Sequence, residues 1–299
     1  MTIVPKVNRI LSVSLGVRDL AASETFYEKV WGLRRTHAEN GKTYFGAMGA
    51  DHHIVSLAQT GRPSLLNVRF GAPSRESVDA LYNHARSLGI HIIQEPKAFS
   101  PADGGGFGFS VKAPEGQILT IVTQSAERAP EQIDAAPSKL SHIVFNSAQI
   151  DQMTAFFIDV LGFKLSDETV PMKFIRCSKD HHSVALAKGD GPSINHIAFE
   201  MPDLDALMSG SGRLRSEGYN IEWGVGRHGP GNNIFSYFIE PNGFVVEYTT
   251  GMQQIDEATY KPQTADYWSN FPKRPCRWGM ATRPSDKIME AFSGKTAQL

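Results

Sequence analysis

Asp180-His181-His182-Ser183-Val184-Ala185-Leu186-Ala187 reads onto Asp51-His52-His53-Ile54-Val55-Ser56-Leu57-Ala58 at a shift of 129 residues, and this match decides the architecture. Self-similarity at a fixed distance marks a duplicated scaffold. Working outward in both directions, the same order recurs. Leu11-Ser12-Val13 reads against Leu140-Ser141-His142, and Leu66-Asn67-Val68 against Ile194-Asn195-His196. Pro114-Glu115-Gly116 reads against Pro241-Asn242-Gly243, a turn signal that leads into an apolar strand in both halves. The stretch from Asp19 to Gly32 carries Phe26, Tyr27, Val30 and Trp31; its counterpart carries Phe156, Phe157, Val160 and Leu161, followed by Gly162. Apolar residues at i, i+1, i+4 and i+5 form one buried helical stripe, and each stripe stops at a glycine suited to the left-handed position after a helix.

Each half divides again. A strand-like run such as Ile143-Val144-Phe145 precedes a helix and then shorter strands, and Ile197-Ala198-Phe199 opens the next unit with a helix expected from Leu204 to Ser216. Strand, helix, then several strands, four times over, predicts an α+β protein of two tandem domains, each of two βαβββ modules whose sheets pair into a cup. The expected boundaries are 1–124 for the first domain and 139–252 for the second. Ala, Pro, Glu and Gln displace the periodicity from Gln124 to Ser138, which reads as the linker. Residues 253–299 lie outside the repeat, a tail with Pro262, Pro272 and Pro275 and a short helix expected from Asp286 to Phe292.

Composition narrows the function classes. The 299 residues are 41% hydrophobic and 20% charged, with a formal charge of -1 that offers nucleic acid or an anionic membrane no attraction. The N-terminal Met1 to Arg9 lacks the apolar core of a signal peptide, and no run approaches a membrane span. Cys177 and Cys276 are the two cysteines, too few for a disulfide framework or a zinc–thiolate site. A cytoplasmic protein is expected, assembling with copies of itself.

A duplicated scaffold isolates chemistry by subtraction. The alignment sets Val13, Val68 and Thr120 in the first half against His142, His196 and Glu247 in the second. A lone buried histidine is more often a satisfied core residue than a ligand. A carboxylate in Phe244-Val245-Val246-Glu247-Tyr248 is harder to explain structurally, because a buried, unpaired carboxylate costs several kcal/mol and needs a cation or a proton. Two imidazoles and one carboxylate are the ligand set of non-haem Fe(II) oxygenases, with positions left open for substrate and dioxygen; the same set accepts Mn(II).

These residues resemble a known family. Ser236-Tyr237-Phe238-Ile239-Glu240-Pro241-Asn242-Gly243-Phe244-Val245-Val246-Glu247-Tyr248 is similar to the C-terminal signature of the type I extradiol ring-cleavage dioxygenases, a branch of the vicinal oxygen chelate superfamily that includes the 2,3-dihydroxybiphenyl 1,2-dioxygenases and catechol 2,3-dioxygenases. Its tyrosine stands ten residues before the ligand glutamate. Gly226-Arg227-His228-Gly229-Pro230-Gly231-Asn232-Asn233 resembles the segment that brings a histidine to the substrate, and His181-His182-Ser183-Val184-Ala185-Leu186 resembles the family's paired-histidine strand. The resemblance covers residues 7–252. It departs from the pattern in the 14-residue separation of His182 from His196, one shorter than expected, and in Gly231 and Asn232, where some members carry an acid.

The resemblance implies extradiol cleavage of a substituted or bicyclic catechol by O2 at Fe(II) or Mn(II), with His142, His196 and Glu247 as metal ligands. It implies His182 as the acid–base that hands a proton to the reacting oxygen, with Tyr237 and His228 as donors to substrate oxygens. An imidazole suits that role because its ordinary pKa of about 6.5 lies near working pH. His53 occupies the repeat position of His182 in the half without ligands, so an Asp-His-His turn can also be structural. Gly104-Gly105-Gly106-Phe107-Gly108 lacks the Lys-Ser/Thr of a phosphate loop and reads as the degenerate copy of the His228 loop. The alternatives on this fold are a glyoxalase-like metal isomerase, an epoxide-opening transferase, and a metal-free binding module resembling bleomycin-resistance proteins.

Overall fold

The computed structural model describes residues 5–271 and 276–294; Pro272 and Pro275 of the tail lie outside the described residues. In the first half, β1 (Arg9–Val17), β2 (Arg34–Glu39), β3 (Lys42–Gly46), β4 (Val55–Gln59), β5 (Ser64–Gly71), β6 (Ile92–Ala98), β7 (Phe107–Lys112) and β8 (Ile118–Thr123) form one sheet in the order β2-β3-β4-β1-β5-β8-β7-β6. In the second, β9 (Lys139–Ser147), β10 (Lys164–Glu168), β11 (Met172–Arg176), β12 (Val184–Lys188), β13 (Ser193–Glu200), β14 (Trp223–Arg227), β15 (Ile234–Ile239) and β16 (Val245–Thr250) repeat it as β10-β11-β12-β9-β13-β16-β15-β14. Helices α1 (Leu20–Thr25), α2 (Arg75–Ser87), α3 (Ile150–Leu161) and α4 (Leu204–Ser216) each follow the first strand of a module, which gives the expected two tandem α+β units of βαβββ modules. Two further helices, α5 (Ala265–Asn270) and α6 (Asp286–Phe292), lie in the tail.

The single helix expected from Asp19 to Gly32 is instead α1 followed by a wider π-type turn at Phe26–Val30, where the Trp31 amide donates to the Phe26 carbonyl at 2.7 Å. That turn delivers Trp31 to the other half. Its ring stacks on Tyr248 at 3.9 Å, the Tyr248 hydroxyl donates to the Trp31 carbonyl, and Arg213 donates to the Val30 and Ala135 carbonyls at 2.9 Å each. In return, Phe157 and Phe163 pack on Phe70 of β5. The pleat does the sorting on β16: Val246 and Tyr248 face this shared core, which leaves Glu247 between them to face the cup.

The register corrects the subtraction by one residue. Val55 pairs with Val13 and Val184 with Ile143, so the residue that matches His142 is Ser12, not Val13. Likewise Ser14 pairs with Asn67 and Val144 with His196, so Asn67, not Val68, matches His196. Thr120 does match Glu247, since Ser110–Thr120 and Tyr237–Glu247 are equivalent pairs. Val13 and Val68 are fully buried core residues on the opposite face. A one-residue slip along a strand exchanges its two faces, and sequence similarity alone does not register the pleat. Ser12, Asn67 and Thr120 therefore stand in the first half where His142, His196 and Glu247 stand in the second.

Candidate metal centre

Three adjacent central strands bring the ligand candidates together: His142 on β9, His196 on β13 and Glu247 on β16, all buried. Their ligand atoms lie within 4.8 Å of one another, the one group of this kind among the described residues. His142 Nε2 and His196 Nε2 each stand 3.3 Å from Glu247 Oε2. Neither approach has hydrogen-bond alignment, and Oε2 is left buried without a donor. Three atoms that converge without bonding one another, around an orphaned carboxylate oxygen, fit a cation between them. Burial opposes the charge on Glu247, yet the flanking imidazoles outweigh it and hold the carboxyl well below the usual carboxylate range.

The surrounding bonds orient these side chains. His196 Nδ1 lies 2.8 Å from Asn195 Oδ1, an acceptor, because the Asn195 amide nitrogen already donates to Asn146 Oδ1 at 2.9 Å. The ring proton therefore sits on Nδ1 and the Nε2 lone pair is free for a metal, the usual outer-shell arrangement of metal-ligating histidines. His142 Nδ1 lies 3.1 Å from Ser141 Oγ. Asn233 Nδ2 donates to Glu247 Oε1 at 3.3 Å and to Thr249 Oγ1 at 2.7 Å, which anchors the carboxylate from the cavity side.

His142 and His196 line a cavity of about 570 Å³, with Glu247 buried behind them. The walls are largely apolar: Val144, Met172, Phe174 and Trp223 from the sheet, and Trp268, Phe271, Met289 and Phe292 from the tail. The tail thus covers the site of its own chain, and α6 sits where expected; Phe292 meets the rings of both His196 and Tyr237.

The other predicted residues line the same cavity. The His182 ring is 4.3 Å from that of His142, and His228 Nε2 lies 3.0 Å from the Tyr237 hydroxyl. Burial lowers the pKa of His182 and brings that of His228 down to about 4, so both rings are neutral near pH 7 in the metal-free site. Burial, helped by the charge of Glu247, raises Tyr237 well above the usual phenol and keeps its proton in place. Gly231 has φ +77, and a Cβ there would meet His182 Cε1 at 3.0 Å, so the loop from β14 can close over His182 only with glycine at that position.

The first half keeps the cup without the ligands. Its cavity of about 520 Å³ is lined by Ser14, Tyr44, His53, Asn67, Arg69, Ser110 and Thr120, and Gly104 to Gly106 form the loop before β7 that corresponds to the His228 loop before β15. Asp167, Asn195 and the tail residue Phe292 escaped sequence reasoning. The one available signal was that Asn195 directly precedes a ligand; Asp167 and Phe292 reach the site only through the fold.

A family model described as the Glyoxalase/Bleomycin resistance protein/Dioxygenase superfamily matches residues 9–119 and 139–248. The chain is similar to a "Metapyrocatechase 2" from Cupriavidus necator, 29% identical over 163 residues that cover 54% of this chain and 47% of that protein. It is also similar to a "Biphenyl-2,3-diol 1,2-dioxygenase" from Metapseudomonas furukawaii, 33% identical over 129 residues that cover 40% of this chain and 42% of that one. The matched stretch therefore spans less than half the length of either curated relative. Among solved structures, an Mn(II)-bound glyoxalase from Novosphingobium aromaticivorans superposes with a TM-score of 0.87 at 36% identity, over 94% of both chains.

Proposed function

This chain belongs to the Glyoxalase/Bleomycin resistance protein/Dioxygenase superfamily, and from that premise we propose that it is an extradiol dioxygenase, opening the ring of a catechol with O2 and incorporating both oxygen atoms. The observation that carries the reading is the orphaned, fully buried Glu247 Oε2 between His142 Nε2 and His196 Nε2, behind an aromatic-lined cavity that also holds His182, His228 and Tyr237. The catalytic unit is assigned to residues 139–252 and the metal-free repeat to 1–124; from the tail, 253–299, Trp268, Phe271, Met289 and Phe292 cover the cavity.

His142, His196 and Glu247 would hold Fe(II), which when bound acidifies the catechol hydroxyls and gathers catechol and dioxygen into one coordination sphere. The rest is work for the chain's own side chains. Tyr237 keeps its phenol proton and donates to the deprotonated substrate oxygen; His228, with Nε2 3.0 Å from that hydroxyl, donates to the phenol oxygen or to the neighbouring substrate oxygen. His182, next to the His142 ring, moves the proton that ring opening requires. Val144, Phe174, Trp223 and Phe292 line the cavity, exclude water and offer an apolar surface to the ring. An apolar cavity of this size supports a bicyclic or alkyl-substituted catechol as substrate. The two free cysteines support a reducing, cytoplasmic setting.

One observation favours a second reading, a metal-dependent isomerase: the 36% identical neighbour is called a glyoxalase. A panel of substituted catechols given to anaerobically Fe(II)-loaded protein separates the two. Oxygen uptake with a yellow ring-opened product supports the dioxygenase; bound metal with no uptake on any catechol supports the isomerase.

A further inference from the structure

We infer that Asp167 and His181 are positioning residues that fix which nitrogen of His182 carries the proton. This rests on the role proposed above for His182, but the geometry stands by itself. Asp167 and His181 are both buried. Asp167 Oδ1 accepts from the Tyr260 hydroxyl and from the Gln263 amide, each at 2.8 Å, so the tail clamps one side of the carboxylate. Oδ2 lies 3.0 Å from His181 Nε2. A carboxylate only accepts, so His181 carries its proton on Nε2, and in the neutral ring Nδ1 offers only a lone pair. That lone pair faces His182 Nδ1 at 3.0 Å. His182 must therefore donate from Nδ1, which leaves Nε2 as an unprotonated base on a ring that lines the cavity.

The first half is a built-in comparison. His52 Nδ1 and His53 Nδ1 also lie 3.0 Å apart, with rings at 5.2 Å and 87° against 5.3 Å and 90° for His181 and His182. The paired histidines thus belong to the scaffold. The carboxylate does not: Asp167 pairs with Phe174 where His37 pairs with Tyr44. Of these two equivalent positions, only the one beside the metal triad holds an acid that can set the tautomer.

The test is Asp167→Asn. Its amide oxygen must stay on the two donors, Tyr260 and Gln263, which turns the amide nitrogen toward His181 Nε2. His181 then accepts there, donates from Nδ1, and forces His182 to carry its proton on Nε2. In serine hydrolases the corresponding change leaves the geometry intact, reverses the tautomer and lowers kcat by about 10⁴-fold. Long-range 1H–15N spectra of the 15N-histidine-labelled, metal-free full chain read the tautomer directly, with His182→Asn to assign the signal. The expected result is a proton on His182 Nδ1 in the wild type and on Nε2 in Asp167→Asn, with His53 unchanged. In turnover, kcat should fall by about 10²–10⁴-fold while KM and metal content hold. A wild-type His182 protonated on Nε2, or a tautomer that Asp167→Asn does not move, overturns the inference; the wild-type spectrum decides alone should the variant fail to fold. Absence of catechol turnover with the expected tautomers would sink the dioxygenase reading and leave this one standing.

Discussion

Glu247→Gln removes one charge and almost no volume from the centre of the site. The wild-type carboxylate is fully buried, and its Oε2 lies 3.3 Å from both imidazole nitrogens. A divalent cation seated among them would interact with one formal negative charge; with glutamine it would have none. Two unit charges 4 Å apart interact by about 4 kcal/mol at an effective dielectric near 20, and twice that for a divalent ion. Halving the total for the amide carbonyl that remains still leaves about 4 kcal/mol, roughly a thousandfold in Kd. The consequence for melting is direct. Metal at about 100 times the wild-type Kd adds roughly 2.7 kcal/mol to stability, but the same concentration is only about 0.1 Kd for the variant and adds less than ~0.1 kcal/mol. Metal analysis and thermal melts under anaerobic conditions should therefore show about one Fe(II) per chain and a metal-dependent rise in Tm for the wild type, and neither for the variant, while the metal-free proteins melt within a few degrees of each other. One iron per chain with an undiminished rise in Glu247→Gln would refute the assignment.

His182→Asn should keep its iron and bind catechol while turnover falls by about 10²–10⁴-fold, whereas His53→Asn, at the same repeat position, should keep full activity; equal losses would make the effect structural. Val13→Ile should cost ~1–3 kcal/mol by overpacking the core and leave metal content unchanged, measured by denaturant midpoint and metal analysis; a change in bound metal would put Val13 back at the site. Burial raises the Glu240 carboxyl to about 7 in the folded chain, against an ordinary value of about 4.5. The folded state then binds the extra proton between those values, so this contribution is complete below about pH 4.5, declines as pH rises and is gone above about 7, a total of roughly 3 kcal/mol. Glu240→Gln should flatten that slope in denaturant midpoints taken at pH 5 and pH 8, and a wild-type and variant falling in parallel would show that Glu240 does not titrate there.

What the chain determined locally was legible from its order of residues. The repeat of Asp51-His52-His53 in Asp180-His181-His182 and the apolar stripes at Phe26 and Phe156 specify modules, because strand and helix periodicities are written in neighbouring residues. His142, His196 and Glu247 stood out by comparison with the other half, and Glu247 most of all, because an unpaired carboxylate in an apolar strand is costly to bury. Tertiary structure decided what depends on faces and distances. The pleat and the cross-strand register moved the vestigial positions from Val13 and Val68 to Ser12 and Asn67, a shift of one residue that inverts inside and outside. Asp167 meets His181 across 14 residues of chain, and Tyr260 reaches Asp167 across 93, separations over which sequence carries no periodic signal. Trp268 and Phe292 likewise acquire their places over the candidate metal centre only because folding brings these two tail residues back to the cup built by β9 to β16.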